Sequence, residues 1–459
     1  MRTKVWTVAA MAFAMLVCPS LAAQAPAQTA PAQKDYEALA REIITNFAAR
    51  KFDAIEPHFG PQLAAALPLD KLPASWDSAL AQFGDFVSIE SVRSELIQGM
   101  TVVHVICKFS RAEAEFTMPF DAQLHLVGLR GAPVAPPWSP PDYAKQDSFT
   151  ERSVTVGAAP WTLPGTLTLP KGPGPFPAVV LVHGSGSTAG DPDETIGPNK
   201  TFKDLAWGLA TRGIAVLRYT KRTHQYGAEI AKNTAVFTVK QETEEDARAA
   251  VSLLATFPEI DAKHIYVIGH SLGAYLGPRI ASGDAQIAGL VLMAGTTRPL
   301  QDVVLDQLRR AASLPGGDTP QAQKAIADAE QSKREIEDPN LKPGMTVHML
   351  GMPIPAEYFL DLRDYRPGEL AASLKIPILI LQGERDIQVS MIDFDGWKKA
   401  LAGHPNVTFK TYPSLNHLFM PVAGPSTGAD YMMPNHVELD VIEDIAACVH
   451  RAGMAAPAK

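Results

Sequence analysis

The chain has 459 residues, of which 46% are hydrophobic and 20% are charged, and its formal net charge is −8. This composition is typical of a globular protein of two or three domains, and it excludes a disordered chain, a collagen and a multi-span membrane protein. The acidic balance argues against nucleic acid as a partner, because broad binding needs clustered Lys and Arg to displace counterions. Three cysteines are too few for a disulfide-built scaffold.

The first 25 residues have the pattern of a cleaved signal peptide. Arg2 and Lys4 precede an apolar run from Val5 to Val17, which is too short to span a membrane comfortably. Small residues over 20–25 then fit two signal-peptidase sites. An uncleaved anchor, or a lipoprotein attached through Cys18, are the alternatives. We expect an exported protein, periplasmic or secreted, with no integral membrane span after cleavage.

Export makes disulfides permissible, but only two cysteines remain in the expected mature chain. Cys107 and Cys448 lie far apart in the sequence. We therefore expect two buried free thiols rather than a bridge.

A small α+β module is predicted over residues 34–130, after a flexible tether at 24–33. Apolar residues over 36–47 recur with the period of an amphipathic helix. Later segments rich in Val, Ile and Phe have the period of strands. These predicted strands are Thr101–Lys108, Glu113–Met118 and Gln123–Leu129. The proline-rich segment 131–149 is predicted to be an extended linker.

Strands then alternate with helices over residues 150–455. The strands are apolar along their whole length, which indicates a mostly parallel sheet covered by helices on both faces. The six predicted strands are Ala178–His183, Ile214–Tyr219, Ile265–Gly269, Leu290–Ala294, Ile376–Leu381 and Val407–Tyr412. The interval before the fifth strand is too long for an ordinary crossover, so residues from about 297 to 372 are predicted to form a helical lid.

Ser271 is the predicted nucleophile. It is the centre of a G-x-S-x-G motif, Gly269 to Gly273, which follows a buried strand and opens a helix. That context is what the motif requires, because a tight strand-to-helix turn lifts the serine hydroxyl into the site. The segment 424–428 matches the same pattern but lacks a preceding strand, and it is predicted to be a surface loop.

The predicted oxyanion hole consists of two backbone N–H groups. The glycine-rich segment 183–186 follows a strand and can turn its N–H groups toward a substrate oxygen. Ser185 is the preferred donor there, with Gly186 as the alternative, and Leu272 supplies the second N–H at the start of a helix.

Asp386 is the predicted acid, because it follows the strand Ile376–Leu381 directly. Glu384 in the same turn is the alternative, with Asp393 and Asp395 further from the strand end.

His417 is the predicted general base, since it lies after the acid and beyond the last strand. His436 is the alternative, and His270, beside the nucleophile, is expected to point elsewhere. The chain order of serine, aspartate and histidine is that of the α/β-hydrolases.

From about residue 150 onward the chain resembles the α/β-hydrolase superfamily, and within it bacterial carboxylesterases related to serine aminopeptidase-type hydrolases. The segments that carry this resemblance are 183–186, 194–200, 218–222 and 269–273. The resemblance implies an α/β-hydrolase fold, the triad Ser271, Asp386 and His417, and an N-terminal module similar to NTF2-like folds. Thr220 departs from the aspartate expected in the 218–222 segment. The basic residues there could hold an acidic substrate group or form internal salt bridges.

These observations predict a serine hydrolase that cleaves a small-molecule carboxylic ester through an acyl-enzyme. A serine aminopeptidase is the enzymatic alternative, and a ligand-binding protein on a hydrolase scaffold is the alternative of another class. No metal and no cofactor are assigned from the sequence. The natural ester and the oligomeric state stay open.

Overall fold

The computed structural model describes residues 33–97, 100–134, 137–186, 189–232, 237–349 and 352–453. The chain divides into a smaller compact unit that ends at Pro136 and a larger one that begins at Pro137. The predicted signal peptide and almost all of the predicted tether lie outside the described residues. Within the described ranges, no helix is both long and apolar enough to cross a membrane.

The smaller unit packs three helices against one antiparallel sheet. The helices are α1 (Gln33–Ala48), α2 (Pro61–Ala66) and α3 (Leu72–Phe83). The strands are β1 (Phe86–Ile97), β2 (Met100–Phe109), β3 (Glu113–Phe120) and β4 (Arg130–Pro133), paired in that order. Alternate residues of β2 and β3 are buried, and they meet the apolar face of α1. The period-2 pattern of these strands therefore builds the core of this unit.

The fourth strand of this sheet does not lie where the sequence predicts it. Residues 122–124 form a turn, in which the Asp121 carboxylate accepts hydrogen bonds from the N–H groups of Gln123 and His125. Leu126 then makes only isolated bridges, to Phe59 and Phe120, and not a strand. The chain then pairs with β3 at Arg130–Pro133. The predicted strand at 123–129 is wrong, and the small sheet extends into the segment predicted as a linker.

The rest of the proline-rich segment also differs from an extended linker. The indole N–H of Trp138 donates to Asp204, and the Tyr143 hydroxyl donates to the carbonyl of Val437. These bonds fix the segment onto the larger unit well before strand β5 begins at Phe149. Proline content alone did not reveal the two aromatic anchors.

The larger unit is built on an eight-stranded sheet with the order β16-β15-β12-β11-β7-β10-β6-β5. Only β6 runs opposite to the other seven strands, pairing antiparallel with β5 and β10, so the predicted mostly parallel sheet is confirmed. The strands are β5 (Phe149–Val156), β6 (Leu163–Pro170), β7 (Phe176–Val182), β10 (Ala215–Tyr219), β11 (Ile260–His270), β12 (Ile287–Met293), β15 (Ile378–Gly383) and β16 (Val407–Tyr412). Strands β5 and β6 were not predicted.

Helices cover both faces of this sheet, as the alternation of buried residues in β7 shows. Val179 and Leu181 pack on one side with α4 and α14, and Val180 and Val182 pack on the other with α7 and α8. The helices are α4 (Thr201–Ala210), α5 (Arg222–Gln225), α6 (Gly227–Lys232), α7 (Glu245–Leu254), α8 (Leu272–Ala281), α13 (Met391–Ala400) and α14 (Leu439–Gly453). A short hairpin, β8 (Thr195–Ile196) with β9 (Asn199–Lys200), precedes α4.

An insertion separates β12 from β15. It contains α9 (Leu300–Ser313), α10 (Pro320–Glu337), the hairpin of β13 (Thr346–Met349) and β14 (Met352–Pro355), α11 (Ala356–Leu362) and α12 (Pro367–Ser373). Its position brings α9 over the carboxyl ends of the strands, where ligands bind in parallel sheets.

Candidate active site

Ser271 occupies the sharp turn between β11 and α8, with φ 55° and ψ −113°. A side chain at either flanking glycine would collide with backbone. A Cβ on Gly269 would lie 2.3 Å from the carbonyl carbon of Gly273, and one on Gly273 would lie 2.3 Å from the carbonyl oxygen of Val182. The positive φ of Ser271 is strained for a residue with a side chain, and such strain is found at functional positions.

The second G-x-S-x-G segment has a different environment. Residues 424–428 form an irregular loop, and the Ser426 hydroxyl donates to the Asp430 carboxylate. The hydroxyl is therefore held by an acid directly, with no histidine between them that could remove its proton.

Asp386 and His417 form a buried hydrogen-bonded pair. Nδ1 of His417 donates to Oδ2 of Asp386 at 2.7 Å, and their side chains are 4% and 0% exposed. Asp386 also accepts bonds from the Gln382 side chain and from the N–H groups of Gln388 and Val389. Four donors converge on one carboxylate, which fixes its orientation.

The alternative acids and base are engaged elsewhere or exposed. Glu384 is exposed, and Asp393 is buried against the Arg298 guanidinium. His436 pairs with Asp204, which belongs to α4. The structure therefore brings together the preferred acid and base and places these alternatives outside the pair.

His270 connects the nucleophile turn to the histidine of the pair. Its Nε2 donates to the backbone carbonyl of His417 at 2.9 Å, its Nδ1 bonds Glu194 at 2.9 Å, and the two histidine rings are 4.7 Å apart. The expectation that His270 points away from the site overlooked this arrangement, because its ring lies against the ring of His417 and bonds the backbone carbonyl of that residue.

The Glu194 carboxylate favours the charged form of the buried His270 ring. Burial alone lowers the pKa of His270, but the charge and hydrogen bond of Glu194 outweigh it, and the pKa lies above its ordinary value. Both side chains are 3% exposed. The only sequence signal for Glu194 was its membership of the 194–200 segment, which had no assigned role.

The predicted oxyanion donors flank Ser271. Gly184 lies beside it, such that a Cβ on Gly184 would be 3.1 Å from the Ser271 Cβ. Ser185 is the next residue of that loop. Leu272 is the first residue of α8, and first-turn N–H groups have no acceptor within their own helix. The arrangement brings the two segments that contain the predicted donors next to Ser271.

The basic segment 218–222 forms internal ion pairs, which was one of its two interpretations. Arg218 pairs with Glu151 and Asp193, Lys221 with Glu242, and Arg222 with Asp246. All three basic side chains are buried. None of them is therefore available to bind a charged substrate group in this conformation.

Two cavities border one face of α9. A pocket of about 10 Å³, near the size needed for one water molecule, reaches Ser271. It is lined by Ser271, Leu272, Thr296, Leu300, Val303, Gln307 and Val389. A wider cleft of about 490 Å³ lies further along the helix, between Arg310 and the segment 384–387. Gln307 donates to the carbonyl of Gln388 between the two cavities.

Among the described residues, no group of three or more His, Cys, Asp or Glu side chains is placed to hold a metal ion. Cys107 and Cys448 are free and buried, as expected. Burial raises the pKa of the Cys107 thiol to about 12 and that of Cys448 to about 11. Both thiols therefore stay protonated at neutral pH and are poor nucleophiles.

The sequence also resembles characterised proteins. Residues 179–425 match the alpha/beta hydrolase family, and residues 40–129 match a family described as a protein of unknown function, DUF3887. The chain is 38% identical over 405 residues to Esterase EstD of Thermotoga maritima, covering 88% of this chain and 93% of that protein.

Two solved structures show lower similarity. Est1E from Butyrivibrio proteoclasticus is 16% identical, with a TM-score of 0.42, over 65% of this chain and 98% of that chain. The esterase domain of a Rhodothermus marinus protein is 19% identical, with a TM-score of 0.40, over 66% and 98%. Because the family model matches more than half of the sequence and EstD matches most of it, the chain belongs to the α/β-hydrolase family and is a carboxylesterase-type hydrolase.

Proposed function

We propose that the protein hydrolyses carboxylic esters through an acyl-enzyme, with Ser271 as nucleophile, His417 as general base and Asp386 as the acid that orients it. The observation that carries this proposal is the buried His417–Asp386 pair, bonded at 2.7 Å and connected through His270 to the turn that presents Ser271. The similarity to Esterase EstD supports the same reaction class.

The reaction follows from the roles of these groups. His417 accepts the Ser271 proton while Oγ attacks the ester carbonyl carbon, and the N–H groups of Ser185 and Leu272 stabilise the oxyanion. The tetrahedral intermediate then breaks its bond to the alcohol, which receives the proton from His417. In the second half, His417 takes a proton from water, which attacks the acyl group. Collapse of this second intermediate releases the acid, and the proton returns to Ser271.

Asp386 acts by fixing His417 rather than by accepting its proton. Its carboxylate accepts the Nδ1 hydrogen, so Nε2 carries the free electron pair that takes the Ser271 proton in this mechanism. The positive charge that His417 gains during the reaction is then balanced by a buried negative charge. This arrangement lets His417 act as the general base of the reaction.

We further propose that the substrates are esters of short acyl groups. The pocket at Ser271 is about 10 Å³ and is closed on one side by the apolar Leu300 and Val303 of α9. A pocket of this size admits an acyl group only when α9 moves, and a short acyl group requires the smallest movement. The cleft of about 490 Å³ beyond Gln307 is the larger space available for the alcohol portion.

Turnover of matched chromogenic substrates tests this proposal. We expect hydrolysis of p-nitrophenyl acetate and butyrate, much slower hydrolysis of the octanoate, and little cleavage of amino-acyl p-nitroanilides. Ser271→Ala should lower kcat for the acetate by about 10³ or more. Near-full turnover by that variant refutes the triad, and preferred cleavage of the anilides indicates the aminopeptidase alternative instead.

We also propose that the protein is exported, on the basis of the signal-peptide pattern over residues 1–25. The mass of the protein isolated from its host tests this directly. Cleavage after Ala22 or Ala25 supports export, and a chain that retains Met1 and stays in the cytoplasmic fraction contradicts it.

A further inference from the structure

Lys221 lies between the oxyanion loop and a buried carboxylate. Its Nζ donates to the backbone carbonyl of Gly184 at 2.6 Å and to Oε1 of Glu242 at 2.6 Å. The Lys221 and Glu242 side chains are only 3% and 2% exposed. An ammonium group with both of these partners is held at one position, with its charge balanced.

Glu242 is itself anchored by the insertion. Its second oxygen accepts a hydrogen bond from the Tyr358 hydroxyl at 2.7 Å, and Tyr358 belongs to α11. Burial and the negative charge of Glu242 raise the pKa of this tyrosine well above its ordinary value, so the hydroxyl remains a donor. A chain of three buried groups therefore runs from α11 of the insertion to the loop beside the nucleophile.

The bond to the Gly184 carbonyl has a direct consequence for the neighbouring N–H. The carbonyl of Gly184 and the N–H of Ser185 belong to the same peptide unit, which is planar, and in a trans unit they point in opposite directions. A donor that holds the carbonyl on one side thereby aims the N–H toward the other. The Ser185 N–H is the oxyanion donor proposed above, and Gly184 lies against Ser271.

We propose that Lys221 is a positioning residue for the esterase reaction: by holding the Gly184 carbonyl, it orients the Ser185 N–H toward the oxyanion. This inference rests on the proposed function, because it assumes that Ser271 is the nucleophile. It also gives a role to a basic segment whose side chains do not reach the substrate pocket.

The neighbouring residue provides a matched control. Arg222 makes a comparable buried ion pair with Asp246, at 2.5 Å, but within the described part of the chain its hydrogen bonds go to Asp246 and Glu245 and not to the loop that contains Gly184. The double variant K221M/E242Q removes the bond to the loop and leaves no buried charge unpaired. R222M/D246N removes an ion pair of the same kind one residue further along.

Steady-state kinetics with p-nitrophenyl acetate distinguish a positioning role from a purely structural one. Misplacing an oxyanion donor costs less than removing it, so we expect K221M/E242Q to lower kcat by about 10-fold to 100-fold. Its KM should change by less than about threefold, because the contact acts on the transition state. The affinity for a trifluoromethyl ketone, which forms a tetrahedral adduct, should fall by the same factor as kcat. R222M/D246N should keep both values near wild type.

Circular dichroism and thermal unfolding establish that both double variants are folded. Should K221M/E242Q not fold, Lys221→Arg takes its place, since it keeps a positive charge opposite Glu242. Its larger planar group must displace Gly184, and we expect kcat to fall by about threefold to tenfold.

Equal kcat and inhibitor affinity in the Lys221 variant and the Arg222 control overturn the proposal. A fluorophosphonate adduct on Ser271 of the wild-type protein separates this failure from failure of the proposed function. If the adduct forms and the Lys221 variant behaves like the control, only the role of Lys221 is wrong. If no adduct forms, both proposals fail.

Discussion

Replacement of Asp386 by asparagine tests how His417 is oriented. The Asp386 carboxylate accepts four hydrogen bonds and donates none. Oδ2 accepts from His417 at 2.7 Å and from Gln382 at 3.1 Å, and Oδ1 accepts from the N–H groups of Gln388 and Val389 at 2.7 and 2.9 Å. An asparagine amide presents one oxygen and one NH₂ group. Of the two pairs of donors that faced the carboxylate oxygens, one pair must therefore face the NH₂ group, which is itself a donor.

The two backbone N–H groups cannot change, and they therefore select the orientation of the amide. The asparagine oxygen takes the Oδ1 position, and the NH₂ group faces His417 and Gln382. His417 can accept this hydrogen bond only by moving its own proton from Nδ1 to Nε2, which removes its ability to accept the Ser271 proton. We expect kcat to fall by about 10⁴, and the free energy of unfolding to fall by about 1–3 kcal/mol for the Gln382 donor left unpaired.

The assay is kcat for p-nitrophenyl acetate, combined with the ¹⁵N chemical shifts of the His417 ring. Asp395→Asn is the matched control, because this exposed carboxylate on α13 lines neither cavity, and it should keep kcat within about threefold of wild type. A D386N variant that retains a tenth or more of kcat, or whose His417 still carries its proton on Nδ1, refutes the reasoning.

Three further predictions concern the turn, the loop and the lid. Gly273→Ala places a Cβ 2.3 Å from the Val182 carbonyl oxygen, and denaturant unfolding should show a loss of about 3 kcal/mol in stability. In the control variant Gly424→Ala the new Cβ meets nothing within 4 Å, and the stability should not change. Burial lowers the pKa of His183 to about 4 in the folded protein. As the pH falls, the unfolded chain therefore takes up a proton at this histidine at a higher pH than the folded chain does. Stability should fall by up to about 3 kcal/mol as the pH drops from 6.5 to 4, and a His183→Gln variant with the same pH slope contradicts this. Val303→Ala widens the Ser271 pocket and should raise kcat/KM for p-nitrophenyl hexanoate relative to the acetate by about 10-fold; an unchanged ratio would show that α9 does not limit the acyl group.

The sheet and the positions of Ser271, Asp386 and His417 could be predicted because they depend on local patterns. A strand apolar on both faces is buried in a parallel sheet, and the residues after its carboxyl end lie at the ligand-binding edge. The antiparallel strands β5 and β6 lacked this continuous apolar pattern and were missed. The strand predicted at 123–129 failed because a single side chain, Asp121, satisfies the backbone of a turn there.

The groups that support the site could not be predicted in the same way. These groups act through partners far away in the sequence: Glu194 bonds His270, His270 bonds His417, and Lys221 bonds Glu242. Only the folded chain shows that a charged side chain is buried against a backbone carbonyl instead of exposed to solvent. Motif membership indicated that these segments matter, but not what each side chain binds.

The identity of the nucleophile is the central claim, and covalent labelling tests it most directly. The mature protein is treated with a small fluorophosphonate, and the adduct is located by peptide mass spectrometry, with Ser271→Ala as the control. We predict one adduct per chain, on Ser271, and none in the variant. A folded wild-type protein that forms no adduct, or that is labelled at Ser426 or another residue instead, contradicts the account.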